Sequence, residues 1–126
     1  MKRHPVLGAV SILAAVLPGW VALASVLGFG ALPTYWMVLQ HGVPALVALI
    51  AGALLIFGQK SARTWALFAW VLLLILASFN LAITWWSFAP GSQFPPEIVI
   101  VELIYLFGST AMLWSIAKGG TNAAAT

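Results

Sequence analysis

The sequence contains no cysteine and very few charged residues. Among its 126 residues there are two acidic and five basic side chains, and charged residues make up 6% of the chain. The absence of cysteine excludes disulfides, thiolate metal sites and cysteine nucleophiles. A soluble domain typically carries about 25% charged residues. So few charges cannot cover a chain of this size in water, and the composition excludes an ordinary water-soluble domain.

Apolar residues take the place of the missing charges. They make up 63% of the chain, and the mean hydropathy is +1.10. Four apolar stretches, separated by short segments, have the length that crosses a hydrocarbon core of about 30 Å. We predict helices, because backbone polar groups in lipid must be paired within their own segment. The predicted helices cover residues 6–29, 35–57, 64–88 and 97–117.

These segments predict an all-α fold. The expected architecture is a single transmembrane domain over residues 1–126, built as an integral membrane bundle of four transmembrane helices. Short connections join the helices, and the segment between the third and fourth contains a proline pair that a continuous helix would not accommodate. Residues 118–126 are mostly small and polar, and we expect them to form a flexible tail.

The basic residues predict the orientation of the bundle. They are Lys2, Arg3, Lys60, Arg63 and Lys118. They lie before the first helix, between the second and third, and after the fourth, which is one side of a bundle with an even number of helices. Because cytoplasmic loops are enriched in lysine and arginine, we predict a multi-pass protein of the cell membrane, a bacterial inner membrane, with both termini cytoplasmic (N-in/C-in). The scattered charges form no patch, so no nucleic-acid partner is expected.

The first segment has a second interpretation. It begins with basic residues, continues as an apolar run with a helix breaker at Pro18, and reaches a small-x-small pattern that ends at Ala24. These are the features of a cleaved secretory signal. Against cleavage, the apolar run continues to Phe29 and reaches full spanning length. Residues 1–24 are therefore either a cleaved signal peptide or most of the first transmembrane helix.

Small residues at spacings of three and four predict which helix faces pack together. Lipid gives no hydrophobic drive for helix association, so contacts favour small and weakly polar side chains. The stripe of the first helix consists of Ser11, Ala15, Pro18, Ala22 and Ser25. The stripe of the second helix consists of His41, Ala45, Ala48 and Gly52. The stripe of the third helix consists of Ala77, Asn80, Thr84 and Ser87. The stripe of the fourth helix consists of Glu102, Tyr105 and Ser109. We expect these stripes to face the interior of the bundle.

A few polar residues interrupt the apolar helices at one depth. His41, Asn80 and Glu102 each lie about 8 to 9 Å inside the same end of the bundle, at about 1.5 Å per residue. A carboxylate near the helix centre costs at least about 2.5 kcal/mol, so it needs a partner or a proton. Glu102 and His41 are therefore expected to share one proton. Asn80 and Tyr105 are expected to orient this pair.

Two interpretations of this polar layer remain open. It is either a ligand or proton site, or a hydrogen-bonded clamp that fixes the register of the helices. A metal or haem site is not expected, because the only other histidine, His4, lies on the opposite side. We expect no cofactor.

No catalytic motif accompanies these residues, so an enzyme is not expected. The favoured function is that of a non-catalytic accessory or interaction subunit of a larger membrane complex, which packs against a partner or holds a lipid or quinone. The alternative is a small proton-coupled transporter that uses the Glu102/His41 layer. The expected environment is the lipid bilayer, and the sequence is also compatible with a homo-oligomer.

Overall fold

Four long helices make up most of the chain. The computed structural model describes residues 3–28, 34–87 and 96–120. The helices are α1 (Pro5–Val26), α2 (Thr34–Phe57), α3 (Ala62–Ser87) and α4 (Pro96–Ser115), and a π-helical turn (Ile116–Gly120) continues α4. All four are long and apolar enough to cross a membrane. The described residues thus confirm the predicted all-helical fold with four helices long enough to span a membrane.

The end of α1 differs from the predicted end. The helix stops at Val26, whereas the apolar run predicts helix as far as residue 29. Gly28 adopts a φ of +83°, and its N–H donates to the Ser25 carbonyl at 3.2 Å. This left-handed conformation terminates a helix and favours glycine. The apolar run therefore continues for a few residues beyond the helix itself.

The chain also stays helical beyond the predicted end of the fourth helix. The sequence predicts a flexible tail from residue 118, but the π-helical turn extends through Gly120. Ile116 is fully buried, and the ammonium group of Lys118 lies 4.4 Å from the centroid of the Trp114 ring. These contacts hold the turn in place. The rest of the predicted tail, 121–126, lies outside the described residues. So does most of the loop between the first and second helices, 30–33, and of the loop between the third and fourth, 89–95.

The most extensive helix contact is the antiparallel pairing of α1 with α2. Where Gly8 meets Gly52, the two backbones touch. A Cβ atom added to Gly8 would lie 2.6 Å from the Gly52 carbonyl oxygen, and one added to Gly52 would lie 2.7 Å from the Gly8 carbonyl oxygen. Nearer the other end, a Cβ at Gly42 would lie 3.5 Å from the Ala22 methyl group. Small residues thus bring the two helices together along their length.

The predicted stripes of the first two helices are confirmed as buried faces. The buried residues of α1 are Gly8, Ser11, Ala15, Pro18, Ala22 and Ser25. The predicted stripe of α2 is buried as well. In α3 and α4 the stripes are less deeply covered. Ala77 and Ser109 are buried, whereas Asn80, Thr84, Glu102 and Tyr105 are partly buried, and the side chain of Ser87 is not among those described.

The α2–α3 turn and the start of α1 lie at one end of the bundle. Gly58 has a φ of +73°, and the N–H of Gln59 donates to the Leu54 carbonyl at 3.0 Å, which closes the end of α2. The N–H of His4 donates to the Leu55 carbonyl at 2.8 Å. Since the helices alternate in direction, the end of α4 returns to this same end, where the π-helical turn contacts α3.

Replacing Gly8 with alanine should destabilise the bundle. The new methyl group would meet backbone atoms of α2, which cannot move aside as a flexible side chain does. Overpacking of this kind typically costs about 1–3 kcal/mol. We expect a loss of this size in the free energy of unfolding, measured by titration with sodium dodecyl sulfate in mixed micelles.

Gly108→Ala in α4 is the matched control. A Cβ at Gly108 has no neighbour within 4 Å, so this variant should unfold like the wild type or slightly later, because alanine favours helix more than glycine. If Gly8→Ala and Gly108→Ala unfold at the same detergent fraction, the close contact of α1 with α2 is not a determinant of stability.

Candidate functional site

Asn80 lies at the centre of a polar cluster that joins three helices. Its Nδ2 atom lies 3.4 Å from Nε2 of His41 on α2 and donates to Oε1 of Glu102 on α4, also at 3.4 Å. Its Oδ1 atom accepts a hydrogen bond from Nε2 of Gln40 at 3.4 Å. These distances exceed the usual range of about 2.7–3.2 Å. The hydrogen bonds of the cluster are therefore long and weak.

The hydrogen bonds of His41 indicate which ring nitrogen carries the proton. The side chain is buried, and Nδ1 lies 3.3 Å from the Met37 carbonyl oxygen. A carbonyl oxygen only accepts, so Nδ1 is the donor, and Nε2 is left to accept from the Asn80 amide. In this arrangement His41 is a neutral imidazole whose two ring nitrogens are both occupied.

Asn80 separates the two residues that the sequence predicts to share a proton. No hydrogen bond joins the Glu102 carboxyl group to the His41 ring within the described residues, because the Asn80 amide lies between them. Sequence spacing places the three side chains at one depth but does not give their order around the bundle. A proton moving between Glu102 and His41 would need a bridging water rather than a direct contact.

Tyr105 has a different role from the predicted one of orienting the pair. Its hydroxyl group donates to the Ala14 carbonyl oxygen of α1 at 2.8 Å. Residue 18 would normally pair with this carbonyl, but Pro18 has no N–H to donate. Tyr105 therefore satisfies the carbonyl that Pro18 leaves without its helical partner, and in doing so it links α4 to α1.

A small cavity lies beside the cluster and is lined by all four helices. Its volume is about 50 Å³, and its polar lining consists of the four predicted site residues, His41, Asn80, Glu102 and Tyr105. One water molecule needs roughly 10–15 Å³ of such volume, so the cavity has room for a few waters. Sites for drug-sized ligands occupy about 300–1,000 Å³, so a quinone ring does not fit inside the bundle.

A larger groove lies on the outer surface between α2 and α3. Its volume is about 410 Å³, and its lining is almost entirely apolar, with Trp36 and Phe79 among the aromatic residues. Gln40 also lines this groove and donates to Asn80. One side chain thus connects the outer groove to the interior polar cluster.

Two polar contacts were not predicted from the sequence. Gln40 donates to Asn80 while it also lines the outer groove. The indole N–H of Trp70, on α3, donates to Oγ of Ser11, on α1, at 3.1 Å, and both side chains are buried. A tryptophan in the middle of an apolar helix needs an acceptor for its N–H, which is the signal that points to such a contact.

The described residues contain no group of three histidine, aspartate or glutamate side chains that is close enough to hold a metal ion. Comparison with known protein families, curated proteins and solved structures finds no match for this chain.

Replacing Tyr105 with phenylalanine should destabilise the bundle only while Pro18 is present. The variant leaves the Ala14 carbonyl without a donor, and interhelical hydrogen bonds in membranes are worth about 0.6 kcal/mol on average and up to about 1.7. In a Pro18→Ala background, the restored N–H of residue 18 can pair with that carbonyl. We expect the cost of Tyr105→Phe in the free energy of unfolding to fall towards zero there.

The four proteins form a double-mutant cycle, measured by detergent titration, that separates this interaction from general packing. Thr110→Val, which alters an exposed hydroxyl group of α4 that bonds within its own helix, is the control. An equal loss for Tyr105→Phe with and without Pro18 would show that the Tyr105 hydroxyl does not compensate for the proline.

Proposed function

We propose that this chain is a non-catalytic accessory or interaction subunit of a larger membrane complex. The observation that carries this proposal is the uneven burial of the helices. In the spanning stretches, 44% of the residues of α2 are buried, against 6% of those of α4. Within α4 the one buried residue is Ser109. A helix that contributes so little to its own bundle has most of its surface available to another membrane protein.

The exposed surface of α4 has residues suited to helix association. A Cβ at Gly108 has open space around it, and Ala111 and Ser115, three and seven residues further along the helix, are exposed. Small residues let the backbones of two membrane helices approach closely, which gives van der Waals contact that lipid alone does not match. We propose that this surface of α4, defined by Gly108, Ala111 and Ser115, contacts the partner.

The proposal includes an orientation. The chain would lie in a cell membrane, a bacterial inner membrane, with both termini cytoplasmic, since the described basic residues share one end of the bundle. Any lipid or quinone that the subunit holds would occupy the outer groove between α2 and α3, where there is room, rather than the interior cavity.

A photo-crosslinking side chain in place of Phe107 should capture the partner. Phe107 lies on α4 beside Gly108, and 68% of its surface is exposed. After irradiation of native membranes, we expect a discrete covalent product heavier than the chain, which mass spectrometry would identify as a second membrane protein or as another copy of this chain.

Leu13 provides the matched control on α1. Its exposure, 69%, is almost the same, so a probe there samples the lipid and random collisions equally well. Equal protein products from the two positions would mean that α4 is not a preferred interface. Lipid adducts alone at both positions would rule against the accessory-subunit proposal.

A small proton-coupled transporter is the second candidate, favoured by one observation. The Glu102 carboxyl group lines a cavity with room for a few waters and connects through Asn80 to His41. Intramembrane carboxyl groups beside water are typical of proton pathways.

Replacing Glu102 with glutamine tests the transporter directly. The amide keeps the shape and hydrogen-bonding capacity of the side chain but does not titrate, so proton uptake into vesicles containing the purified protein should be lost. Glu97→Gln, in the first turn of α4, is the control and should leave uptake unchanged. If wild-type vesicles take up protons no faster than empty ones, the polar cluster serves as a structural clamp.

A further inference from the structure

The side-chain charge at one end of the bundle is entirely positive. The charged residues that meet there, at the start of α1, the α2–α3 turn and the end of α4, include Arg3, Lys60, Arg63 and Lys118. The two acidic residues of the chain lie elsewhere. Glu97 is in the first turn of α4, at the opposite end, and Glu102 is inside the bundle. No carboxylate side chain is available to balance these cations.

Three of these cations also lack internal polar partners. Within the described parts of the chain, the side chains of Arg3, Lys60 and Arg63 make no hydrogen bond or ion pair. The Nε atom of Arg63 and the Nε2 atom of His4 are buried without a hydrogen-bond partner. Buried polar nitrogens normally find partners, because leaving them unpaired is costly. An anion from outside the chain would supply the missing acceptors and counter-charge.

Arg63 is suited to be the central ligand of such an anion. It is partly buried in the first turn of α3, and its Nε atom is buried. The planar guanidinium matches two phosphate oxygens at once, which a lysine ammonium does not. Lys60 and Arg3, both exposed, add positive charge at the same end.

We propose that this end of the bundle binds the phosphate headgroup of an anionic phospholipid, held chiefly by Arg63 and Lys60. The lipid is the source because these residues lie where the apolar helices end, at the level of membrane headgroups. The stacking of Lys118 on Trp114 is typical of that interface. Basic pockets at the ends of transmembrane helices recognise such headgroups. The proposal requires that the chain spans a bilayer and holds whether or not it is an accessory subunit.

Native mass spectrometry of the full chain in detergent micelles tests this site. The probes are phosphatidylglycerol and phosphatidylcholine with the same acyl chains, added at equal concentrations. The wild type should retain phosphatidylglycerol preferentially. Removing each cation should weaken that binding roughly fivefold, so the double variant Lys60→Gln/Arg63→Gln should bind it roughly 25-fold more weakly. Its binding of phosphatidylcholine should not change.

Two further variants separate a defined site from net charge. Arg63→Lys keeps the charge but loses the planar fork, so it should bind more weakly than the wild type and more tightly than the double variant. Glu97→Gln changes the net charge at the opposite end and should bind as the wild type does. Circular dichroism confirms that each variant is folded.

Several outcomes would overturn the proposal. In the first, the wild type retains the two lipids equally. In the second, the wild type and the double variant retain phosphatidylglycerol equally. In the third, an equal concentration of inorganic phosphate displaces the lipid. The last result would indicate a site for free anions. None of these outcomes bears on whether α4 binds a partner, which the crosslinking experiment decides separately.

Discussion

The contact between Gly8 and Gly52 is the constraint on which the rest of the bundle depends. In lipid, helices gain nothing by hiding apolar side chains, so close backbone contact must hold the first pair together. A Cβ at either glycine would lie within 2.7 Å of the opposing carbonyl oxygen, so this register of α1 and α2 requires glycine at both positions. That register turns Pro18 and His41 towards the same cavity. The polar cluster is thus positioned by residues that have no polar side chain.

A second constraint is that backbone groups in lipid need partners within the protein. Pro18 leaves the Ala14 carbonyl without its helical donor, and the hydroxyl group of Tyr105 supplies one from α4. This bond, together with that between Asn80 and Glu102, connects α4 to the rest of the bundle. The helix with the smallest buried fraction is therefore joined to α1 and α3 by polar contacts as well as by its packing against the core.

The features that depend on one helix at a time can be predicted from the sequence. The features that depend on how several helices are arranged around one another cannot. Apolar length gives the four helices, and small residues such as Ala15 and Ala48 give the buried faces of the closest pair. The end of α1 is missed because a left-handed glycine, Gly28, ends the helix inside an apolar run. The position of Asn80 between His41 and Glu102 depends on the rotation of three helices relative to one another, which the spacing within each helix does not contain.

The same geometry connects the two functions considered for this chain. His41 belongs to the tightly packed pair of α1 and α2, whereas Glu102 belongs to the sparsely packed α4, and Asn80 bonds to both at 3.4 Å. Bonds of that length break with small displacements. A partner that binds α4 and shifts it would change the distance from Glu102 to Asn80 before it disturbed the contact of α1 with α2. Binding at the surface of α4 and the state of the interior carboxyl group would then be coupled, and by linkage each would alter the free energy of the other.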